Sequence, residues 1–210
     1  MKTTLLRTAV AATLLTLAAC QPGTGPVAQG LNEAQKGLEK ASKEMDEASD
    51  EVAKARKELA TENLKVGSDG NSKGLPKAEV TPSGELLIDG KPIAMTPAQK
   101  AAGLAYRTEL QGVASDAIGI GMAGAKLGID AAASAIKGLM SGQGGEAAGK
   151  QAEATAKEKI QPLVEQLCKR MPTLLKTQQA WAAAQPEFRP YATMDQSDVD
   201  DCSDKQDWNF

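Results

Sequence analysis

The sequence predicts a mainly α protein in which long helices, arranged as a coiled-coil-like bundle or hairpin, accompany a small three-stranded β-meander. Three observations support this fold class. A heptad pattern runs through residues 31–66, a turn-rich stretch with short apolar runs occupies residues 79–95, and helical periodicity returns through residues 96–193. Aromatic residues are only 3% of the 210 residues, so the core must depend on helices that approach one another closely.

The first twenty residues, MKTTLLRTAVAATLLTLAAC, have the organisation of a lipoprotein export signal. A basic start precedes an apolar run that is too short for a permanent membrane-spanning helix. The letters LAAC at residues 17–20 match the bacterial lipobox. We therefore expect residues 1–19 to be removed and Cys20 to carry fatty acyl chains such as palmitate. The alternative is an ordinary signal peptide followed by an incidental cysteine.

The residues after Cys20 predict where the mature protein resides. Gln21, rather than aspartate, resembles the usual pattern for sorting to the outer membrane of gram-negative bacteria, on its periplasmic side. Residues 20–30 are rich in proline and glycine and predict a flexible tether. Loss of Lys2 and Arg7 with the signal leaves a net charge of about −5, without the basic surplus that nucleic-acid binding requires.

Residues 31–66 predict one long heptad helix without a proline. Large apolar residues alternate with alanines at spacings of three and four, and Lys and Glu fill most other positions. The stripe consists of Leu31, Ala34, Leu38, Ala41, Met45, Ala48, Val52, Ala55 and Leu59. Its partner can be this chain's own later helices or a second copy, and self-association through residues 31–66 is left open.

After a loop at residues 67–78, residues 79–95 predict the β-meander. Asp89-Gly90 lies between two strand-like runs and is the favoured two-residue hairpin turn, because both positions need a positive φ. Thr96-Pro97-Ala98-Gln99 is a capping box with proline at the first helical position. A long helix is therefore expected to begin at Pro97.

Residues 80–110, VTPSGELLIDGKPIAMTPAQKAAGLAYRTEL, resemble the opening of the YggN-like family of exported gram-negative proteins. The positions that carry the resemblance are Thr81, Pro82, Gly84, Gly90, Lys91, Met95 and Gln99. The resemblance implies an exported protein with a short sheet that leads into a long helix, and it supplies no catalytic residues. Residues 31–66 lie outside it, and the lipobox departs from family members with plain signal peptides.

The letters GIGMAG at residues 119–124 fit the spelling of a dinucleotide-binding loop but lack its setting. That loop follows a buried strand, whereas these residues lie well inside the helix expected from Pro97. Small residues at Gly121, Gly124, Gly128 and Ala132 instead indicate close helix packing, and we expect the alanines of residues 34–55 to be the partner. A membrane-inserting glycine zipper is the alternative, although Asp116 and Lys126 interrupt the apolar stretch.

The remainder of the chain predicts a break between helices, a final helical region and a tail that is attached by a disulfide. Residues 141–149 are glycine-rich, and Pro162 and Pro172 then predict one kinked helix or two consecutive helices. Cys168 and Cys202 are expected to form a disulfide in an oxidising compartment, because a metal pair would need further ligands in a chain without histidine. The acidic tail, residues 194–210, lacks the spacing of a calcium loop.

Taken together, these features predict a periplasm-facing outer-membrane lipoprotein that acts as a non-enzymatic scaffold or partner-binding module. We predict no metal, no cofactor and no catalytic residue, since the absence of histidine excludes Ser–His and Cys–His pairs. The partner is the membrane, through Cys20, together with an unidentified protein or envelope component. The alternatives are a membrane-active or self-assembling protein that uses residues 113–140, and a cell-envelope enzyme.

Overall fold

Long helices dominate the computed structural model, which describes residues 26–67, 74–140 and 145–204. The mainly α fold with a small antiparallel sheet is confirmed. In chain order the elements are α1 (Pro26–Thr61), β1 (Leu64–Val66), β2 (Ala78–Val80), β3 (Leu86–Ile88), β4 (Lys91–Pro92), α2 (Pro97–Met140), α3 (Gly145–Ala184), a 3-10 helix (Pro186–Tyr191) and α4 (Gln196–Asp204). Cys20, the signal segment and the tether up to residue 25 lie outside the described residues.

Helix α1 begins earlier than the sequence predicts, and it also ends earlier. Residues 26–30, expected as tether, are helical from Pro26, whose fixed φ suits the first helical position. Residues 64–66, expected as the end of the helix, form β1 instead. Pairing with β2 and burial of Val66 to 3% exposure outweigh the weak helical preference of three residues.

The sheet therefore has four strands, one more than predicted, in the order β1-β2-β3-β4 with every neighbour antiparallel. The predicted hairpin turn between β3 and β4 is confirmed, since Asp89 and Gly90 have φ of 49° and 72°. The Asp89 carboxylate also accepts a hydrogen bond from the backbone N–H of Lys77 at 3.1 Å, which joins this turn to the start of β2.

The predicted capping box at the start of α2 is present. The Thr96 N–H donates to the Gln99 side chain at 2.7 Å, and the Gln99 N–H donates to the Thr96 hydroxyl at 3.3 Å. The Gln99 side-chain amide also donates to the Ala184 carbonyl at 2.7 Å. The first turn of α2 is thereby fixed to the last residue of α3.

Helices α2 and α3 form an antiparallel hairpin. Gln99 meets Ala184 at one level, and farther along the hairpin Arg170 Nε donates to Asp116 Oδ2 at 2.6 Å. Helix α3 continues through Pro162 and Pro172 as one helix, so the one-helix alternative is the correct one. Both prolines are exposed, so their rings lie on the solvent-facing side of the helix.

Helix α1 packs on α2 of the same chain through its predicted heptad stripe. Every stripe residue except the exposed Ala34 is half-buried, and none of the described side chains of α1 is fully buried. The C-terminal end of α1 contacts the start of α2, because the Gln111 side-chain amide donates to the Leu59 carbonyl. The flank of α2 that carries Gln111 stays half-buried from there as far as Ile136, so α1 extends from this contact toward the C-terminal end of α2. The two helices therefore run antiparallel, and α2 lies between α1 and α3.

The core lies at one end of the hairpin, which we call the sheet end: β1–β4, the first turns of α2, the end of α3 and the 3-10 helix. Trp181 and Phe188 stack with ring centroids 3.9 Å apart, and Tyr106 contacts both rings at 5.6 and 5.4 Å. Buried apolar residues of the first three strands pack against these rings: Val66, Ala78, Val80 and Leu86.

Two glycines allow the sheet to touch α2. Gly84, in the turn before β3, has a φ of +80°, and a Cβ there would collide with the backbone of Lys100 and Leu104. A Cβ on Gly103 would collide with the Gly84 carbonyl and come within 3.0 Å of the Trp181 ring. Backbone therefore lies directly on backbone where the sheet meets the helix.

We expect Gly103→Ala to lower the free energy of unfolding by about 3 kcal/mol, because the added methyl must push the sheet or Trp181 away. Gly128→Ala is the matched control in the same helix. Its Cβ would meet nothing within 4 Å, and alanine is the better helix former by about 1 kcal/mol, so this variant should be slightly more stable. Urea unfolding followed by circular dichroism measures both. A Gly103→Ala protein as stable as the parent would contradict the close contact.

Candidate interaction surfaces

Arg107 joins α1, the sheet and α2 at the sheet end. Its side chain is 1% exposed, and one guanidinium nitrogen donates to the Val80 carbonyl of β2 at 2.9 Å. The other donates to the carbonyls of Leu59 at 2.9 Å and Glu62 at 2.7 Å, at the C-terminal end of α1. Carbonyls at the end of a helix have no intrahelical donor, so the guanidinium supplies hydrogen bonds that the helix backbone cannot make there.

The charge of Arg107 is balanced by dipoles. Among the described residues its hydrogen-bond acceptors are all backbone carbonyls, and the C-terminus of a helix carries a partial negative charge. Burial lowers the pKa of the Arg107 guanidinium, but arginine starts from so high a value that it remains protonated. No pattern in the sequence marks Arg107, because only contacts distant in sequence distinguish it from a surface arginine.

A cleft of about 280 Å³ opens at the sheet end beside β1 and β2. Leu75, Pro76 and Tyr191 line it together with the side chains of Lys65 and Lys77. The Tyr191 hydroxyl donates to the Pro76 carbonyl at 2.9 Å, and burial, with Asp89 nearby, raises its pKa. Leu75 is 39% exposed, so the cleft offers an apolar edge to solvent.

The structure pairs Cys168 of α3 with Cys202 of α4, the two cysteines predicted to form a disulfide. The sulfur atoms lie 2.04 Å apart, and Cys168 is 4% exposed. Helix α4 packs on α3 through the buried Val199, and the Met194 N–H before it donates to the Gln178 side chain at 3.1 Å. The disulfide thus attaches a short helix along its length to the side of α3.

The described part of the acidic tail forms α4, and its aspartates are exposed to solvent. Asp195 caps α4: its carboxylate accepts from the Ser197 N–H at 2.7 Å, while Asp198 accepts from the Asp195 N–H at 2.9 Å. The hydrogen bonds from Ser197 lower the pKa of Asp195. No group of three potential metal ligands occurs within residues 26–67, 74–140 and 145–204.

The predicted helix-packing residues lie on an exposed face of α2. Gly121, Gly124, Gly128 and Ala132 are all exposed, and a Cβ on any of the three glycines would meet nothing within 4 Å. The expectation that they accept the alanines of residues 34–55 is therefore wrong. α1 and α3 cover the two larger-residue flanks of α2, and these flanks bury more apolar surface than a glycine face can.

The exposed face is a continuous stripe of six residues that we call the small-residue stripe. Its members recur at spacings of three and four: Ala117, Gly121, Gly124, Gly128, Ala132 and Ala135. Lys126, Asp130 and Lys137 lie on the opposite face of the helix. In the part of the chain that the structure describes, no helix has the length and apolar character needed to cross a bilayer.

Comparisons with protein-family models, curated proteins and solved structures gave no match. The resemblance of residues 80–110 to the YggN-like family therefore stays a prediction.

We expect the double variant Cys168→Ala/Cys202→Ala to lose about 3–4 kcal/mol of unfolding free energy, because the bridge closes a loop of about 35 residues in the unfolded chain. Ser203→Ala, next to Cys202 on α4, is the control and should change little. Thermal unfolding of both variants and of the reduced parent measures the effect, and hydrogen exchange should rise first in α4. Equal stability of oxidised parent and double variant would contradict a stabilising role for the bridge.

Proposed function

We propose that the chain is a lipoprotein on the periplasmic side of the outer membrane that acts as a non-enzymatic scaffold. Its helices hold the sheet end, the partner-binding part, at a set distance from the bilayer. The anchor is the lipid on Cys20, and the cleft beside Leu75 and Tyr191 is the candidate surface for the partner.

The observation that carries this proposal is the antiparallel packing of α1 on α2. It puts the N-terminus of α1 and the sheet end at opposite ends of the molecule. A rise of 1.5 Å per residue gives about 50 Å between Pro26 and Leu59. Arg107 fixes the far end of α1 to both α2 and β2, so this distance is set by connected helices and not by a loose linker.

The lipobox supports the anchor on chemical grounds. The small residues Ala18 and Ala19 precede Cys20, and the thiol of Cys20 is the group that takes a diacylglyceryl chain. One short acyl chain holds a protein only marginally, whereas several chains, each buried methylene contributing about 0.8 kcal/mol, keep it at the membrane. Gln21 after the cysteine supports sorting to the outer membrane.

Expression of the full chain in a gram-negative bacterium tests the proposal. We expect the mature protein to begin at Cys20, to carry a mass increase of the size of three acyl chains with their glyceryl group, and to fractionate with the outer membrane. Cys20→Ser should abolish acylation, while Cys202→Ser, which leaves the lipobox intact, should not. An unacylated mature protein, or one recovered from the cytosol, would overturn the proposal.

Self-assembly through α2 is a second candidate function, and the exposure of the small-residue stripe favours it. Small residues let two helix backbones approach closely. Sedimentation of residues 21–210 should then show concentration-dependent dimers that Gly128→Leu removes. Asp130→Leu, on the opposite face, should leave them unchanged. A protein that stays monomeric at high concentration would exclude this function for the unlipidated chain.

A further inference from the structure

The C-terminal end of α2 exposes two adjacent large apolar side chains, which we call the hairpin tip. Leu139 is 63% exposed and Met140 is 66% exposed. Among the described residues, the other large apolar side chains with high exposure are Leu75 and Leu104, at 39% and 44%. The hairpin tip is thus the most exposed apolar point in this part of the chain, and it lies at the end opposite the core.

The N-terminus of α1 lies at the same end of the molecule as the hairpin tip. Leu59 and Gln111 are in contact where α1 and α2 meet at the sheet end. From there α2 extends about 44 Å to Met140, and α1 extends about 50 Å in the same direction to Pro26. The start of α1 therefore reaches level with the tip or a few ångströms beyond it.

The length of chain before α1 limits the distance from the lipid to the tip. The six peptide units from Cys20 to Pro26 span at most about 22 Å when fully extended. A lipid on Cys20 has its glyceryl group at the membrane surface, so the start of α1 is held within that distance of the bilayer. The hairpin tip lies on the neighbouring helix, about 8–10 Å to the side, and is therefore held near the bilayer as well. This step rests on the proposed function.

We propose that Leu139 and Met140 insert into the phospholipid bilayer beside the lipid anchor, as a second membrane contact. The molecule then stands end-on, with the sheet end directed away from the membrane. The exposed side chain of Lys137, one turn before the tip, lies at the level where lipid phosphates are found.

A bilayer suits this patch better than a second copy of the chain does. A stable protein interface buries about 800 Å² on each partner, far more than two side chains can supply. A tethered contact needs much less intrinsic affinity, because the anchor converts insertion into an intramolecular step at high effective concentration. The two residues set the orientation of the protein relative to the bilayer, and the lipid on Cys20 keeps the protein at the membrane.

The test uses residues 21–210 with an N-terminal hexahistidine tag in place of Cys20, bound to phosphatidylethanolamine–phosphatidylglycerol vesicles that contain a nickel-chelating lipid. The chain has no histidine of its own, so the tag alone binds nickel. Met140→Cys provides a free thiol for an environment-sensitive dye. The control is Lys91→Cys, exposed on β4 at the sheet end. Nitroxide-labelled lipids in the vesicles quench a dye that enters the bilayer.

We expect the dye at position 140 to shift to the blue and to be quenched several-fold, and the dye at position 91 to stay unchanged. Adding Leu139→Asp should remove most of the quenching at position 140 without altering the circular dichroism spectrum. Absence of quenching at position 140 would overturn the inference, and so would equal quenching at both positions, because the body would then lie flat. The nickel lipid replaces the natural anchor, so failure of acylation in cells does not affect this result.

Discussion

The buried guanidinium of Arg107 is the interaction on which the arrangement of the long elements depends. Helix α1 has no fully buried side chain among those described, and its half-buried stripe alone could slide along α2. The directional hydrogen bonds from Arg107 to the last carbonyls of α1 and to β2 fix its position along the axis. Removal of this side chain would leave the carbonyl of the buried Val80 unpaired and release the end of α1 from α2, which costs more than the loss of a surface ion pair.

Local chemistry made much of the fold predictable. The capping box at Thr96, the turn at Asp89-Gly90 and the heptad stripe each follow from neighbouring residues, and each is present in the structure. Strand β1 was missed because its three residues become a strand only through pairing with β2, which lies across the loop. Arg107 and Gly103 were missed for the same reason, since their roles depend on partners far away in sequence.

The small-residue stripe shows that the spacing of small residues does not by itself decide which face of a helix is packed. Helix α2 is apolar around most of its circumference, so its sequence offers several faces for packing. The glycines permit the closest approach, but the flanks that hold Ile118, Met122 and Leu127 bury more apolar surface and receive the two neighbouring helices. The spacing of small residues indicates how closely a neighbouring helix could approach a face. The apolar area that each face can bury decides which face packs against that helix.

The antiparallel course of α1 has a mechanical consequence for a chain held at Cys20. A pull between the bilayer and an object bound at the sheet end runs along the axis of α1 and loads its contacts with α2 in shear. Contacts loaded in shear resist together, whereas contacts peeled from one end give way one at a time. The part of the load that these contacts do not take passes from Thr61 into β1 and its pairing with β2, so the short strand that the sequence did not predict is the second path for the force.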